Sequence, residues 1–229
     1  MAVILQIETS TSACSVALSD NGRVISAKEK TEPNIHAGFI TLFIDEIMKT
    51  TGTAYSELDA VAVSKGPGSY TGLRIGVSTA KGLCYALDIP LLAIDTLHAM
   101  AAGFLKFINP EITENTLLCP MIDARRMEVY MSVFDNKLST VEPVQAKILE
   151  EGCFDGYLLT KRMVFFGDGA FKVNAIYPGN ENVSFTAFDN SATHLSELAF
   201  NKFKLQQFED LAYFEPYYLK DFVAGKAKV

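Results

Sequence analysis

A glycine-rich stretch at residues 64–87, SKGPGSYTGLRIGVSTAKGLCYAL, contains the residue types most suited to chemistry in this chain. A glycine-rich loop that leads into a helix can hold a phosphate through free backbone N–H groups and the positive end of the helix. A Walker loop needs Lys and then Ser or Thr after its last glycine, whereas Leu73 and Arg74 follow Gly72 here. The sequence therefore argues against a Walker-type nucleotide loop.

Small residues recur every four positions inside the same predicted helix. Gly72, Gly76 and Ala80 form one row, and such a row lets another element approach below the usual helix separation of ~8–10 Å. The row could pack inside the chain or against another subunit, and the sequence leaves both alternatives open. The candidate interface residues on this helix are Gly72, Leu73, Gly76, Thr79, Ala80 and Leu83.

Two turns carry small, hydroxyl or acidic residues of the kind that approach phosphate groups. One is IETSTSACS at residues 7–15, and the other is GDGA at residues 167–170. Tight turns present backbone N–H groups that suit an anion, but Ser and Thr also favour plain hairpins and such a turn can cap a helix. The candidate remnants of nucleotide loops are Glu8, Thr9, Ser10, Gly167 and Gly169.

The remaining polar residues predict no metal site and no catalytic triad. The three histidines, His36, His98 and His194, are not spaced three or four residues apart, as a helical pair of metal ligands would be. The segment DARRMEVY at residues 123–130 could form a charged edge of a cleft, although mixed charges at a turn are usually solvated. The four cysteines lie far apart, so we expect reduced thiols.

Composition indicates a globular protein with a large core. The 229 residues are 49% hydrophobic and 21% charged. The formal net charge is −7 and Lys and Arg form no long run, so we do not expect the chain to grip nucleic acid by itself. No apolar run reaches the ~18 residues of a membrane span, and MAVILQIETS has no basic segment before its apolar run. We therefore expect a cytoplasmic protein without membrane contact.

The elements that must position these residues form two similar halves. The first half predicts three strands that include the hairpin signal Asn21-Gly22, then a helix, a strand, the glycine-rich helix, a strand and a last helix. In the second half Asp123 follows an apolar strand as Glu8 does in the first, 115 residues earlier. Residues 136–160 follow no clear pattern.

Two halves that each begin with a strand meander predict an α/β chain of the two-lobed, duplicated actin/hexokinase/Hsp70-like type, with mixed sheets flanked by helices. We expect a first lobe at residues 1–107 and a second lobe at residues 108–229. The C-terminal segment is aromatic and interrupted by proline, so we expect it to pack, with a possible return to the first lobe.

Five segments, in this order and spacing, resemble the TsaB (YeaZ) family of bacterial proteins: ILQIETSTSACSVAL, KGPGSYTGLRIGVSTAKGL, IPLLAIDTLHAMA, DARRMEVY and GDGA. The resemblance covers most of residues 1–135 and is weaker beyond them. It implies a non-catalytic subunit of the machinery that places a threonylcarbamoyl group on the adenosine beside the anticodon of tRNAs reading ANN codons.

The same resemblance implies several partners. They are a related transferase subunit (TsaD-like), an ATPase subunit (TsaE-like) and tRNA reached through the complex, with a homodimer when the transferase is absent. It also implies that the helices at residues 36–49 and 71–87 form the interface and that the chain holds the transferase in a competent arrangement. It implies no cofactor of the chain's own, with ATP or ADP only in the shared complex.

The sequence departs from the catalytic relative at the positions where chemistry would occur. That relative carries a pair of metal-binding histidines after the strand equivalent to IPLLAI, and the matching positions here are Thr96 and Met100. Neither side chain replaces an imidazole on a metal. Glu8 also stands where aspartate is more usual, which weakens nucleotide binding by this chain alone. Two alternatives stay open: a free-standing phosphotransferase of the two-lobed superfamily and a metal-dependent peptidase.

Overall fold

Two five-stranded mixed sheets and six α-helices make up the part of the chain that the structure describes. This computed structural model describes residues 1–32, 35–108 and 112–220. The strands are β1 (Val3–Glu8), β2 (Ala13–Asp20), β3 (Arg23–Thr31), β4 (Ala60–Gly66), β5 (Leu91–Asp95), β6 (Thr116–Asp123), β7 (Glu128–Phe134), β8 (Thr140–Ile148), β9 (Arg162–Phe166) and β10 (Val183–Thr186). The helices are α1 (His36–Thr51), α2 (Tyr70–Leu87), α3 (Thr96–Phe107), α4 (Asp155–Leu158), α5 (Phe171–Asn174) and α6 (Ser196–Lys204), with short 3₁₀ helices at Tyr55–Glu57 and Ala192–Leu195. Among the described helices, none combines the length and the apolar character that a membrane crossing requires.

The two sheets repeat one topology. Sheet A has the strand order β3-β2-β1-β4-β5, with an antiparallel meander followed by two parallel strands. Sheet B has the order β8-β7-β6-β9-β10 with the same directions. The equivalent strands β1 and β6 end at Glu8 and Asp123. The repeat confirms the predicted two-lobed, duplicated fold.

One face of sheet A is covered by α1 and α2, whose apolar residues recur at the helical spacing. The buried residues of α1 include Ile40, Phe43, Ile44, Ile47 and Met48. It ends at Gly52, whose φ of +68° suits glycine. At the start of α2, the Ser69 side chain accepts a hydrogen bond from the Gly72 N–H at 3.3 Å. The helices predicted at residues 36–49 and 71–87 are therefore present, within two residues at each end.

The opposite face of sheet A is covered by α3 and α6, and α3 also reaches sheet B. Ala99 of α3 is buried against sheet A together with Leu195 and Ala199. Phe104 of α3 is 0% exposed and stacks on Phe166 of sheet B, with ring centroids 4.0 Å apart. The helix α3 therefore forms part of both cores and couples the two lobes.

The C-terminal part of the chain returns to the first lobe. In addition to α6, residues 207–220 run beside β5 and α2: the Glu209 N–H donates to the Leu91 carbonyl at 2.9 Å. The Tyr217 N–H donates to the Lys65 carbonyl at 2.7 Å. The range 108–229 expected as the second lobe thus contains segments that pack on the first, while its residues 221–229 lie outside the described part of the chain.

Two segments differ from the sequence prediction. The amphipathic pattern of ATHLSELAFNKFKLQQF, residues 192–208, predicts one helix. The structure has a 3₁₀ helix followed by the short α6, which ends before Gln206, whose φ is +54°. The unassigned region 136–160 holds β8 and α4. β8 is an edge strand, which tolerates Pro143 in its middle and blurs the alternating pattern.

Candidate functional site

The small-residue row of α2 lies inside the first lobe. A β-carbon added at Gly72 would stand 2.1 Å from the Thr9 carbonyl oxygen, and one at Gly76 would stand 2.2 Å from Thr9 Oγ1. Leu73 and Ala80 on the same face are 0% exposed. The row lets α2 approach the turn after β1. These four α2 residues pack within this chain and are not open to a second subunit, which corrects the predicted interface.

The exposed face of α2 is on the other side of the helix and also carries small residues. It consists of Thr71, Arg74, Ser78, Gly82, Tyr85 and Ala86. A β-carbon added at Gly82 would meet nothing within 4 Å, and Tyr85 is 82% exposed. The predicted interface residues Thr79 and Leu83 are half-buried at the margin of this face. Another helix or strand could therefore approach α2 closely on this side.

The helix α1 lies beside α2 and presents an exposed face of similar character. Gly38 has nothing within 4 Å of an added β-carbon, and Leu42 is 55% exposed. Small residues beside isolated large apolar ones suit the approach of a partner helix. We call the following set the docking face: Gly38, Leu42, Ser78, Gly82 and Tyr85.

The C-terminal residues 207–220 border α2 along one flank. Lys81 Nζ donates to the carbonyl oxygens of Ala212 and Phe214, at 3.3 and 3.0 Å. Arg74 Nε donates to the Tyr218 hydroxyl at 3.2 Å. These contacts hold the C-terminal segment against α2 and set one edge of the exposed helix face.

The turn after β1 is buried, so its predicted ligand-binding groups face the interior. Glu8 is 1% exposed and Thr9 and Ser10 are 0% exposed. The Ser10 N–H donates to Glu8 Oε1 at 2.6 Å, and Asn190 Nδ2 donates to Ser10 Oγ at 3.0 Å. Burial raises the pKa of the Glu8 carboxyl above its usual value, and the hydrogen bonds from Ser10 oppose that shift.

The two-lobed fold implies a nucleotide between the lobes, and the Ser10 groups of this turn are already used inside the chain. The Ser10 N–H is already used by the Glu8 carboxyl. The Ser10 carbonyl oxygen accepts the Ser69 N–H at 2.6 Å and would stand 2.3 Å from a β-carbon at Gly68. The Ser10 backbone groups are therefore used within the chain, while the buried Thr9 hydroxyl has no hydrogen-bond partner among the described residues.

The second predicted turn, GDGA, packs against the end of β6. Gly167 has a φ of +97°, and a β-carbon there would stand 2.3 Å from the Met121 carbonyl oxygen. A β-carbon at Gly169 would stand 3.0 Å from the Ile122 carbonyl carbon. Asp168 Oδ1 accepts the Asp123 N–H at 2.8 Å. The two glycines are thus required by backbone packing between the turn and β6.

The two positions matched to the histidine pair of the catalytic relative make structural contacts. Thr96 Oγ1 accepts the Gly66 N–H at 3.1 Å, and Met100 is buried where α3 meets sheet B. His98 between them stacks on Phe134, with ring centroids 5.4 Å apart. Among residues 1–32, 35–108 and 112–220, no three His, Cys, Asp or Glu side chains are grouped to hold a metal ion.

One polar cluster was missed by the sequence analysis. Ser191 Oγ donates to Glu29 Oε2 at 2.8 Å, and Asn190 donates to the first turn as described. His194 stacks on Phe188, and burial lowers its pKa to about 4. Within NSATHL, Ser191 caps the following 3₁₀ helix, and such a cap can be recognised from the sequence. The sequence does not show which distant residues this segment contacts.

The turn between β6 and β7 holds two adjacent arginines in the left-handed region, Arg125 at φ +71° and Arg126 at φ +48°. Residues other than glycine adopt this region at a cost of ~1–2 kcal/mol each. The Arg125 N–H donates to Asp123 Oδ1 at 2.5 Å, and the Ala124 N–H donates to the Glu128 carbonyl at 3.1 Å. The segment DARRMEVY therefore forms a tight turn at the carboxyl end of β6.

Comparison with known proteins places this architecture in a family. The family model described as TsaD, tRNA N6-adenosine threonylcarbamoyltransferase, matches residues 33–226. The chain is 37% identical to the tRNA threonylcarbamoyladenosine biosynthesis protein TsaB of Escherichia coli over 131 residues, which are 57% of this chain and 54% of that protein. It is 39% identical to TsaB of Haemophilus influenzae over 130 residues, 56% of this chain and 52% of that protein. The matched part thus spans about half the length of these relatives.

A solved structure extends the similarity to nearly the whole chain. It is a Pseudomonas aeruginosa protein described as similar to peptidase YeaZ, with a TM-score of 0.83 and 26% sequence identity. The superposition covers 96% of this chain and 100% of that one. This chain therefore belongs to the TsaD family, in its TsaB (YeaZ) branch.

Proposed function

We propose that this chain is a subunit of the machinery that forms threonylcarbamoyladenosine in tRNA, and that it supports a related transferase without carrying out the reaction itself. The names of its relatives and the match to the TsaD family model support the pathway. Since the matched part spans about half of those relatives, the activity, the tRNA substrate and the partners are proposed for this chain.

The observation that carries the proposal is the docking face of α1 and α2. It combines glycines that have open space beside them with exposed Leu42 and Tyr85. The turn at Glu8, in contrast, is buried and internally hydrogen-bonded. A surface open to a helix beside a closed turn favours a role in binding a protein over a role in bond formation.

The partner that fits this face is a TsaD-type subunit with the same two-lobed fold. Its equivalent helices would pack against α1 and α2, and a second copy of this chain would use the same face when that subunit is absent. A TsaE-type ATPase subunit and tRNA would join the assembled complex in the cytoplasm. ATP or ADP would bind in the complex and not to this chain alone, in keeping with the closed turn at Glu8.

The substitution Gly82→Arg tests the docking face. An added β-carbon at Gly82 would meet no neighbour within 4 Å. Arginine is also more favourable than glycine in a helix interior. The variant should therefore fold and fail to co-purify with the TsaD-type subunit. Cells that depend on this variant should also lose threonylcarbamoyladenosine from their tRNA, which nucleoside analysis by mass spectrometry measures.

A matched control is Gly156→Arg, since Gly156 is also an exposed helical glycine with nothing within 4 Å of an added β-carbon. It lies on α4 of the second lobe, so this variant should bind the partner as the wild-type chain does. Normal partner capture by Gly82→Arg would contradict the docking face. Failure of the wild-type chain to capture a TsaD-type subunit would contradict the proposed function.

A further inference from the structure

The two most exposed aromatic rings of the described residues belong to α2 and to the C-terminal segment beside it. Tyr213 is 85% exposed and Tyr85 is 82% exposed. Within residues 1–32, 35–108 and 112–220, no other phenylalanine or tyrosine is more than 62% exposed. A single exposed ring is ordinary on a protein surface, so the position of these two rings relative to each other decides what they indicate.

Two hydrogen bonds place Tyr213 beside the docking face. Lys81 Nζ donates to the carbonyl oxygens of Ala212 and Phe214, the residues on either side of Tyr213, at 3.3 and 3.0 Å. Tyr85 follows Lys81 by about one helical turn, and residues four apart are neighbours on a helix surface. The docking face therefore continues across this flank of α2 onto the C-terminal segment.

The backbone at Tyr213 is held in a compact turn, residues 210–214, which we call the Tyr213 turn. Asp210 Oδ1 accepts the N–H groups of Ala212 and Tyr213 at 2.9 and 3.2 Å. The Phe214 N–H donates to the Asp210 carbonyl at 2.8 Å. Leu211 and Phe214 pack against the core of the first lobe. Both sides of the turn are thus anchored, while the Tyr213 ring points into solvent.

A tyrosine held in this way is suited to binding a protein. Because the turn is already ordered, its backbone has little conformational entropy left to lose when a partner binds. Tyrosine is enriched among the residues that dominate binding energy, since its ring fills an apolar recess and its hydroxyl forms a hydrogen bond. Within the described part of the chain, neither Tyr85 nor Tyr213 uses its hydroxyl in a hydrogen bond.

We propose that Tyr213 and Tyr85 are two aromatic anchors for the TsaD-type subunit, and that the Tyr213 turn extends the interface beyond α1 and α2. The inference rests on the proposed function and adds a contact from a segment far from these helices in the sequence. The partner surface that fits has an apolar recess for each ring, with an oxygen acceptor within reach of each hydroxyl.

The test measures the affinity of the TsaD-type subunit for the wild-type chain and for Tyr213→Ala by surface plasmon resonance. We expect binding to weaken by about tenfold or more, as is typical of an aromatic anchor. The change should lie mainly in the dissociation rate, because no charge that steers association is removed. Since the ring is exposed in the free chain, the variant should melt at the wild-type temperature.

Two further variants test the turn and leave the ring in place. Asp210→Ala removes the acceptor of two N–H groups and should weaken binding severalfold, because the ring is then less well held. Asp210→Asn keeps an oxygen acceptor and should bind nearly as the wild-type chain does. The matched control is Phe171→Ala, which removes an exposed ring from α5 of the second lobe. This control should bind the partner normally.

Equal affinity of Tyr213→Ala and the wild type, or an equal loss in Phe171→Ala, would overturn the anchor. So would a loss confined to association between copies of this chain, which would assign the Tyr213 turn to a homodimer contact. If Gly82→Arg still abolishes capture in these cases, the proposed function stands without the added contact. If the wild-type chain captures no TsaD-type subunit, both proposals are overturned.

Discussion

Glu8 shows that the role of an acidic residue depends on its burial and its hydrogen bonds. An acid in a turn that follows the first strand is a plausible ligand for a metal or for water near a phosphate. Here its carboxyl is 1% exposed and accepts the Ser10 N–H at 2.6 Å. Burial raises the pKa of this carboxyl, so the residue affects stability through its protonation.

The substitution Glu8→Gln should reduce the dependence of stability on pH. Because the folded-state pKa of Glu8 is raised, its contribution to the free energy of unfolding is fully present below the unfolded pKa. That contribution is lost as the pH rises through the folded pKa. The stability of the variant relative to the wild type should therefore increase between about pH 4 and pH 8. Urea unfolding at both pH values measures this difference.

The control for this measurement is Glu151→Gln, which removes an exposed carboxyl. Its stability relative to the wild-type chain should be nearly constant over the same pH range. A difference between Glu8→Gln and the wild type that does not change with pH would contradict a buried carboxyl with a raised pKa.

At the scale of elements, α2 carries small residues on two faces that have different surroundings. Gly72 and Gly76 bring the buried face against the Thr9 turn, where a β-carbon would lie within 2.2 Å of an oxygen atom. Gly82 on the exposed face has open space. The sequence pattern is similar on both faces, and only the neighbours of each residue distinguish internal packing from an exposed surface.

Two alanine substitutions on α2 should have opposite effects on stability. Gly76→Ala forces the Thr9 side chain or α2 itself to move, and we expect a loss of about 1–3 kcal/mol, as is typical of overpacking. Gly82→Ala should stabilise the chain by about 0.5–1 kcal/mol because alanine favours a helix over glycine. Chemical denaturation measures both values; two changes of the same sign would contradict the assignment of the two faces.

At the scale of the whole molecule, α3, α6 and residues 207–220 hold the lobes together. α3 packs on sheet A through Ala99 and on sheet B through Phe104. The chain then returns from sheet B to pack α6 and residues 207–220 on the first lobe. The lobes are therefore joined by shared helices in addition to the chain connection, and we expect them to unfold together.

Phe104→Ala should destabilise both lobes in one transition. The ring is 0% exposed and stacks on Phe166, so its removal leaves a cavity and should cost about 3–5 kcal/mol. Phe107→Ala on the same helix is the control, since Phe107 is 53% exposed and should cost much less. Calorimetry that resolves two transitions in the wild-type chain, or similar losses in both variants, would contradict the coupling by α3.

The sequence by itself determined the features that depend on local patterns. The apolar spacing located α1, and the glycine-rich loop followed by a row of small residues located α2. The Asn21-Gly22 hairpin separated β2 and β3, and the acids Glu8 and Asp123 marked equivalent strand ends in the two halves. These patterns can be recognised because a helix places residues three or four apart on one face and a strand places residues two apart on one face. Both spacings are independent of the rest of the chain.

Only the tertiary structure decided which groups meet across long stretches of chain. It placed Thr9 against Gly72 and Gly76 and brought Asn190 to Ser10, although nothing in the local pattern of either segment specifies the other. It therefore showed that the small-residue row packs inside the chain and that the other side of the same helix is exposed. The physical reason is that burial is set by all the elements that pack on a residue, and the periodicity of one helix shows its faces but not what covers each of them.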